Sequence, residues 1–440
     1  MRDVTGIIQR IGGQGHGVLE TADGLRAYVP YTLPGERVAA RIRPAKHKTA
    51  HGDGEMAELV EIETTSPERI EPPCGHFHAC GGCNMQHWRQ DSYAAWKRGR
   101  LVSALTRRDW TAEQAEAIVQ PLLLIPPQTR RRAEFAARRA GRKLLLGFHE
   151  AESRRIVDLT ECSVLRPELL KPLPRLREGL ATLIEDGRGL DIKLTLAENG
   201  IDALLSGPLT LDAGARQDLA GLAAELGIVR LCHRATSDQQ PEILAQVAAP
   251  RIKFGSVAVT LPPGGFLQAT AEAEAAMAAA VMAALPAPSG LKLADLFAGC
   301  GAFALRLAAA RHDVLACDAD GPAINALTAA ANAQQLAGQM RAERRDLERR
   351  PLLAAELKKL DAVLLDPPRA GARAQAAALA EAVKAKAAPP LVLMAACDPN
   401  SFARDARLLV EAGYRLETAQ PIDQFLWTPH LELVAVFRRA

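Results

Sequence analysis

From residue 290 onward, short apolar runs alternate with helix-forming stretches. Residues 291–296, 313–318, 362–365 and 391–394 read as strands, and 304–310 and the segment ending at Asn332 read as helices. A strand without polar alternation is buried on both faces. Strand–helix alternation of this kind builds a parallel sheet with helices packed on both sides. No other feature restricts the fold as much. It also says where to look for chemistry, because ligands of open α/β sheets bind beyond the C-terminal ends of the strands.

Several of those turns carry reactive residues. Asp295-Leu296-Phe297-Ala298-Gly299-Cys300-Gly301 has glycines where backbone can approach a ligand. Asp318 ends the next strand, where an acid can hold ribose hydroxyls. The third glycine of a Gly-x-Gly-x-x-Gly dinucleotide fingerprint is missing, so the turn looks more like one for S-adenosylmethionine than for NAD. The bland alternative is an ordinary α/β turn. Asp366-Pro367-Pro368-Arg369 follows another buried strand and stiffens the sheet's edge. Cys397 ends the next one, placed as a nucleophile. A lone cysteine is more often a small buried hydrophobe, but its position one strand after Asp366 favours chemistry. Glu432 precedes the last strand, and alone it would read as a surface acid.

The first 62 residues differ in kind. Short β-favouring pieces between Gly12-Gly13, Asp23-Gly24, Pro34-Gly35 and Asp53-Gly54 suit a small OB-like barrel. Arg37, Arg41, Arg43, Lys46 and Lys48 form a basic stripe without an acid, which points to nucleic acid. A second basic stretch runs from 130 to 143, and residues 93–108 suit an amphipathic helix. The net charge of +3 hides this segregation. With 440 residues, about three domains are expected.

Eight cysteines in a chain this long, with no apolar signal core at the N-terminus, do not suggest a secreted disulfide framework. The expected location is the cytoplasm. The alanine-rich stretch near 275–285 is too short and polar-flanked to cross a bilayer. Cys74, Cys80 and Cys83 cluster, and Cys162 is the natural fourth ligand. Four thiolates suit zinc or iron–sulfur; three close cysteines and one distant tilt toward [4Fe–4S].

Together these residues resemble the RNA uracil-C5 methyltransferase (TrmA/RumA) family over nearly the whole chain. The resemblance implies a multidomain fold with boundaries at 1–62, 63–255 and 256–440. The first is an OB-like β-barrel of the RNA-binding TRAM type. The second is a central iron–sulfur α/β domain, whose helix near 91–124 packs on the catalytic domain. The third is a Rossmann-like class I S-adenosylmethionine methyltransferase domain. It implies Cys74, Cys80, Cys83 and Cys162 as [4Fe–4S] ligands. Gln268 of Gly264-Gly265-Phe266-Leu267-Gln268, with Phe297, Gly299, Asp318, Asp346 and Asp366, would hold the cofactor or substrate. Cys397 would be the nucleophile and Glu432 the general base, with Asp366 orienting the reactants. Barrel plus cluster is similar to the branch that modifies 23S rRNA (RlmD type) rather than tRNA, acting as a monomer away from membranes. Three positions depart from the family pattern: Ala396 and Asp398 replace the serine and asparagine that flank the nucleophile, and Ala302 replaces an asparagine in the cofactor turn. An added carboxylate raises the thiol's pKa. Two other readings are a base-amino methyltransferase, which Arg369 after Asp366-Pro367-Pro368 opposes, and a non-catalytic RNA-binding protein with a decayed fold.

Overall fold

The computed structural model describes residues 2–21, 23–43 and 54–439. β1 (Arg2–Ile11), β2 (Gly17–Glu20), β3 (Arg26–Val29), β4 (Arg37–Ile42) and β5 (Glu55–Thr64) close into a barrel. Alternate residues point inward along each strand, so Val4, Ile8, Leu19, Val29, Val38 and Ile42 fill the interior. The same closure corrects the expected basic stripe. Antiparallel register sets Arg41 opposite Asp3 on β1 and Glu58 on β5. Arg41 pairs with Asp3 at 2.8 Å, Arg37 with Glu63 at 2.8 Å and Arg43 with Glu58 at 3.3 Å. The acids come from other strands, so a linear reading could not pair them. Lys46 and Lys48 lie outside the described residues.

After the cysteine segment come α1 (Gln90–Thr106), α2 (Ala112–Ile118) and the two-residue β6 (Leu123–Leu124). Next come β7 (Arg132–Ala140), β8 (Lys143–His149), β9 (Ile156–Asp158), α3 (Pro167–Leu170) and α4 (Leu173–Ala181). They lead into β10 (Gly189–Ala197), β11 (Gly200–Ser206), α5 (Ala213–Glu225), β12 (Ile228–Arg234) and β13 (Glu242–Gln246). Seven of these strands form one sheet, ordered β13-β12-β11-β10-β7-β8-β9. Only β11 and β12 run parallel, across the α5 crossover. The rest are antiparallel neighbours. The expected α/β arrangement of this region is therefore corrected: tight turns such as the one at Gly141 join antiparallel strands, whereas parallel ones need a crossover.

β14 (Arg251–Phe254) and β15 (Val257–Thr260) make a hairpin ahead of the last layer. That layer comprises α6 (Ala271–Ala284), β16 (Lys292–Leu296), α7 (Ala304–Ala309), β17 (Asp313–Asp318), α8 (Gly321–Ala333) and β18 (Met340–Arg344). It continues with α9 (Ala354–Leu357), β19 (Ala362–Leu365), α10 (Arg373–Lys384), β20 (Leu391–Ala396), α11 (Pro399–Glu411), β21 (Arg415–Asp423) and β22 (Glu432–Arg438). The sheet order is β18-β17-β16-β19-β20-β22-β21-β6. Its first five strands are parallel and β22 inserts antiparallel. Successive residues of one strand feed opposite cores. Leu364 joins the side covered by α6, α7 and α8, while Val363 and Leu365 join the side covered by α10, α11, α1 and α2. β6 extends the edge by pairing Leu123 with Ile422 and Leu124 with Asp423. No helix among the described residues is long and apolar enough to cross a membrane.

Candidate active site

Parallel strands that end together bring their terminal turns together. Beyond β16, β17, β19 and β20 lies a cavity of about 560 Å³. Gln268, Phe297, Gly299, Asp318, Asp346, Asp366, Cys397 and Glu432 all line it. Residues separated by up to 164 positions thus share one space. Phe297 follows β16 with φ at 66°, a left-handed backbone that a bulky residue seldom adopts. The bend lets the next residues fold back, so Gly299 donates its N–H to Asp318 Oδ2 at 2.8 Å. Asp320 N donates to the other oxygen, also at 2.8 Å. The Asp318 carboxylate is held at the cavity wall by backbone N–H groups. Asp346 is held similarly by the N–H groups of Glu348 and Arg349.

The reactive end is dry and acidic. Burial first, and then the Asp366 charge, push the Glu432 carboxyl up to about 8. Burial and Asp318 push Asp366 up to about 7, against a lowering hydrogen bond from Gln268. Burial, followed by Glu432, Asp366 and Asp398, pushes the Cys397 thiol up to about 12. Asp398 is also the N-cap of α11, accepting from Asn400 N and Ser401 N at 2.9 Å each. It therefore sits beside Cys397 for a structural reason. A soft nucleophile beside two carboxyl groups that titrate near neutrality can pass its proton to one of them, add to an electron-poor ring and leave again. Next to them, an aromatic ring and two fixed carboxylates suit an adenosyl group.

The second basic stretch divides. Arg131 is buried and pairs with Glu274 at 2.6 Å. Arg139 donates to the carbonyls of Gly141 and Ile184 at 3.0 Å each. Arg132 lies 4.8 Å above the exposed Phe266 ring at the cavity mouth. Only part of this stretch is available to a polyanion.

Cys74, Cys80 and Cys83 lie in the coil ahead of α1, and Cys162 follows β9. Gly81 N donates to His149 O at 2.9 Å, and His76 Nε2 meets Thr160 Oγ1 at 2.9 Å. These contacts pin the first three cysteines to the hairpin that precedes the fourth. The Cys83 thiol, raised to about 12 chiefly by burial, also feels Cys162, Cys80 and Cys74. Among the described residues, no group of three or more His, Cys, Asp or Glu side chains closes tightly enough to hold a metal ion.

The tRNA (uracil-5-)-methyltransferase family model matches residues 252–440. A protein of Shewanella sp. (strain W3-18-1), named as a 23S rRNA (uracil(1939)-C(5))-methyltransferase, is 30% identical over 94% of this chain and 91% of its own. This chain belongs to the RNA uracil-C5 methyltransferase family, whose methyl donor is S-adenosylmethionine. An uncharacterised RNA methyltransferase of Brucella melitensis is 42% identical over 98% of this chain and 97% of its own. The Pyrococcus abyssi tRNA (uracil-54, C5)-methyltransferase, solved with S-adenosyl-L-homocysteine, shares the fold. Its TM-score is 0.74 at 21% identity, covering 99% of this chain and 100% of that one.

Within this methyltransferase fold, sequence reasoning left Arg132 unassigned inside the second basic stretch and missed Gln424. Arg132 lowers the Glu432 pKa, acting against burial. Gln424 joins Glu432 to Gln268, at 3.0 and 2.8 Å. Neither lies in a turn or an apolar run that would single it out; Gln424 follows the buried Asp423 as an apparently ordinary polar residue.

Proposed function

We propose that this enzyme methylates C5 of one uridine in 23S rRNA through a covalent bond between Cys397 and C6 of the base. The observation that carries the reading is the meeting of Cys397, Asp366 and Glu432 in the cavity that also holds Gln268, Phe297, Asp318 and Asp346. The 23S substrate is supported by the Shewanella relative.

Bound in that cavity, S-adenosylmethionine supplies an electrophilic methyl group to an activated carbon. The chain's part is to make C5 that carbon. The Cys397 sulfur bonds to C6, its proton passes to a neighbouring carboxylate, and the C5–C6 electron pair becomes an enolate. After C5 has taken the methyl group, Glu432 removes the C5 proton. The freed pair re-forms the double bond and expels Cys397. Asp366 orients the base, and Phe297 and Asp318 hold the adenosine. The uridine must leave its RNA fold to reach Cys397, at a cost of a few kcal/mol.

Cys74, Cys80, Cys83 and Cys162 would hold a [4Fe–4S] cluster. What supports it is the chemistry of the donor set: four thiols come from two segments that hydrogen bonds pin to each other, and iron–sulfur clusters are held by cysteine thiolates. The cluster would bind the cysteine segment to the β8–β9 hairpin. An ultraviolet–visible spectrum of anaerobically purified protein tests it, and zinc in place of iron overturns it. The reading also carries a monomeric enzyme of the cytoplasm.

Cys397→Ala should abolish methyl transfer while S-adenosylmethionine still binds in a calorimetric titration; full activity would sink the mechanism. Glu432→Gln should trap an RNA adduct that survives a denaturing gel. Mass spectrometry of rRNA and tRNA from cells with and without the gene names the substrate. Loss of a tRNA 5-methyluridine instead of one from 23S rRNA would correct it.

A further inference from the structure

Gln424 is 3% exposed, Gln268 5% and Glu432 5%. A buried amide has two unlike ends, and a backbone N–H can only donate. Ala269 N donates to Gln424 Oε1 at 2.9 Å, which fixes the orientation of the Gln424 amide. Its Nε2 therefore faces the other way. There it donates to Gln268 Oε1 at 2.8 Å and to Glu432 Oε1 at 3.0 Å. Gln268 is oriented in turn, so its own Nε2 turns toward Asp366 Oδ2 at 3.5 Å. One backbone N–H thus sets the direction of a chain of amides that ends on the buried Glu432 carboxyl and the partly buried Asp366 carboxyl.

Gln424 itself is anchored through its neighbour. Asp423 is fully buried and takes a hydrogen bond from Tyr93 Oη at 2.8 Å and an ion pair from the buried Lys97. Lys97 also donates to Phe425 O at 3.0 Å, and Trp427 N donates to Tyr93 Oη at 2.9 Å. Both sides of Gln424 are clamped by α1.

We propose that Gln424 is a positioning residue of the methyl-transfer reaction: it holds Glu432 by Oε1 and fixes Gln268 against Asp366, aligning the base with the wall of the methyl-donor cavity. This rests on the assignment of Glu432 as the base. Gln424 touches neither RNA nor cofactor in this scheme. It acts when the C5 proton moves to Glu432 and the electron pair returns to the ring to expel Cys397. The groups that face Glu432 are Asp366, Cys397 and Arg132, besides Gln424 itself. Donation from Gln424 favours the carboxylate form, so its removal raises the pH at which Glu432 becomes a base.

The experiment uses the full-length protein in single turnover, with total RNA from a strain lacking the gene and radiolabelled S-adenosylmethionine. Gln424→Met keeps the length and removes the donor; Gln424→Asn keeps the amide but withdraws it by one methylene. Both should bind S-adenosylmethionine within about threefold of wild type. Both should resolve the covalent adduct about tenfold more slowly, the scale of a hydrogen bond to a charged group, so that a protein–RNA band accumulates on denaturing gels. The alkaline-rising limb of the rate should move to higher pH. A merely structural role would lower the amount of active enzyme without moving that limb or building up adduct. Wild-type adduct decay and an unmoved limb in both variants would overturn the proposal. Glu432→Gln run alongside separates the two readings. If it traps adduct and the Gln424 variants do not, only this inference falls; if it traps none, the base assignment falls.

Discussion

The barrel and the cavity treat charge in opposite ways. On the barrel, Arg37, Arg41 and Arg43 each stand beside an acid, and the partners are largely exposed to water. At the cavity, the buried Glu432 and the partly buried Asp366 face each other, and each pushes the pKa of its neighbours upward. The first arrangement costs little and contributes little. The second is unfavourable for the fold, and it is tolerated where proton transfer needs carboxyls that titrate near neutrality. Behind the cavity, Lys97 and Asp423 are a third case: charges as deeply buried as those of the site, but paired.

Breaking that third case should have the largest effect. Lys97→Met leaves Asp423 buried without its cation and should cost about 3–5 kcal/mol of stability. Thermal unfolding measures it, and a loss below about 1 kcal/mol would erase the contrast with the barrel. Next comes the pH dependence of the site. Folded Glu432 keeps its proton to about pH 8, against a reference value of 4.5. Between those values the folded state holds one proton more than the unfolded chain, so stability falls as pH rises through the window. Glu432→Gln should remove this slope, a difference on the order of 2–4 kcal/mol between pH 5 and 9. Equal slopes in wild type and variant would show that the carboxyl is not held protonated. The smallest effect belongs to the barrel. Arg41→Ala should change stability by less than about 1 kcal/mol in urea denaturation. A loss above about 2 kcal/mol would mean that the exposed pairs carry structure after all.

The sheet and its reactive turns were legible because their signals are local. Asp366 and Cys397 each follow an unbroken apolar run, and such a run can only be a buried strand whose end opens on the ligand face. Glu432 lacked a local signal and was reached through family resemblance. The pairing of Arg41 with Asp3 was invisible because strand register brings together residues 38 apart. Lys97 carries no signal of its own within residues 93–108; its burial follows from Asp423, 326 positions later. Gln424 was hidden for the same reason, since an amide gains its role from what the fold sets around it. Residues that act through position leave less trace in a linear sequence than residues that act through chemistry.

The clamp between α1 and Asp423 has a consequence for dissecting the molecule. The family match begins at residue 252, which invites cutting the chain there. Such a fragment would keep every cavity-lining residue named above, from Gln268 to Glu432. It would lose the eighth strand, uncovering the backbone edge of β21 to other chains. It would also lose the ammonium that neutralises an acid adjoining Gln424. The catalytic half is complete as a list of residues and incomplete as a folding unit.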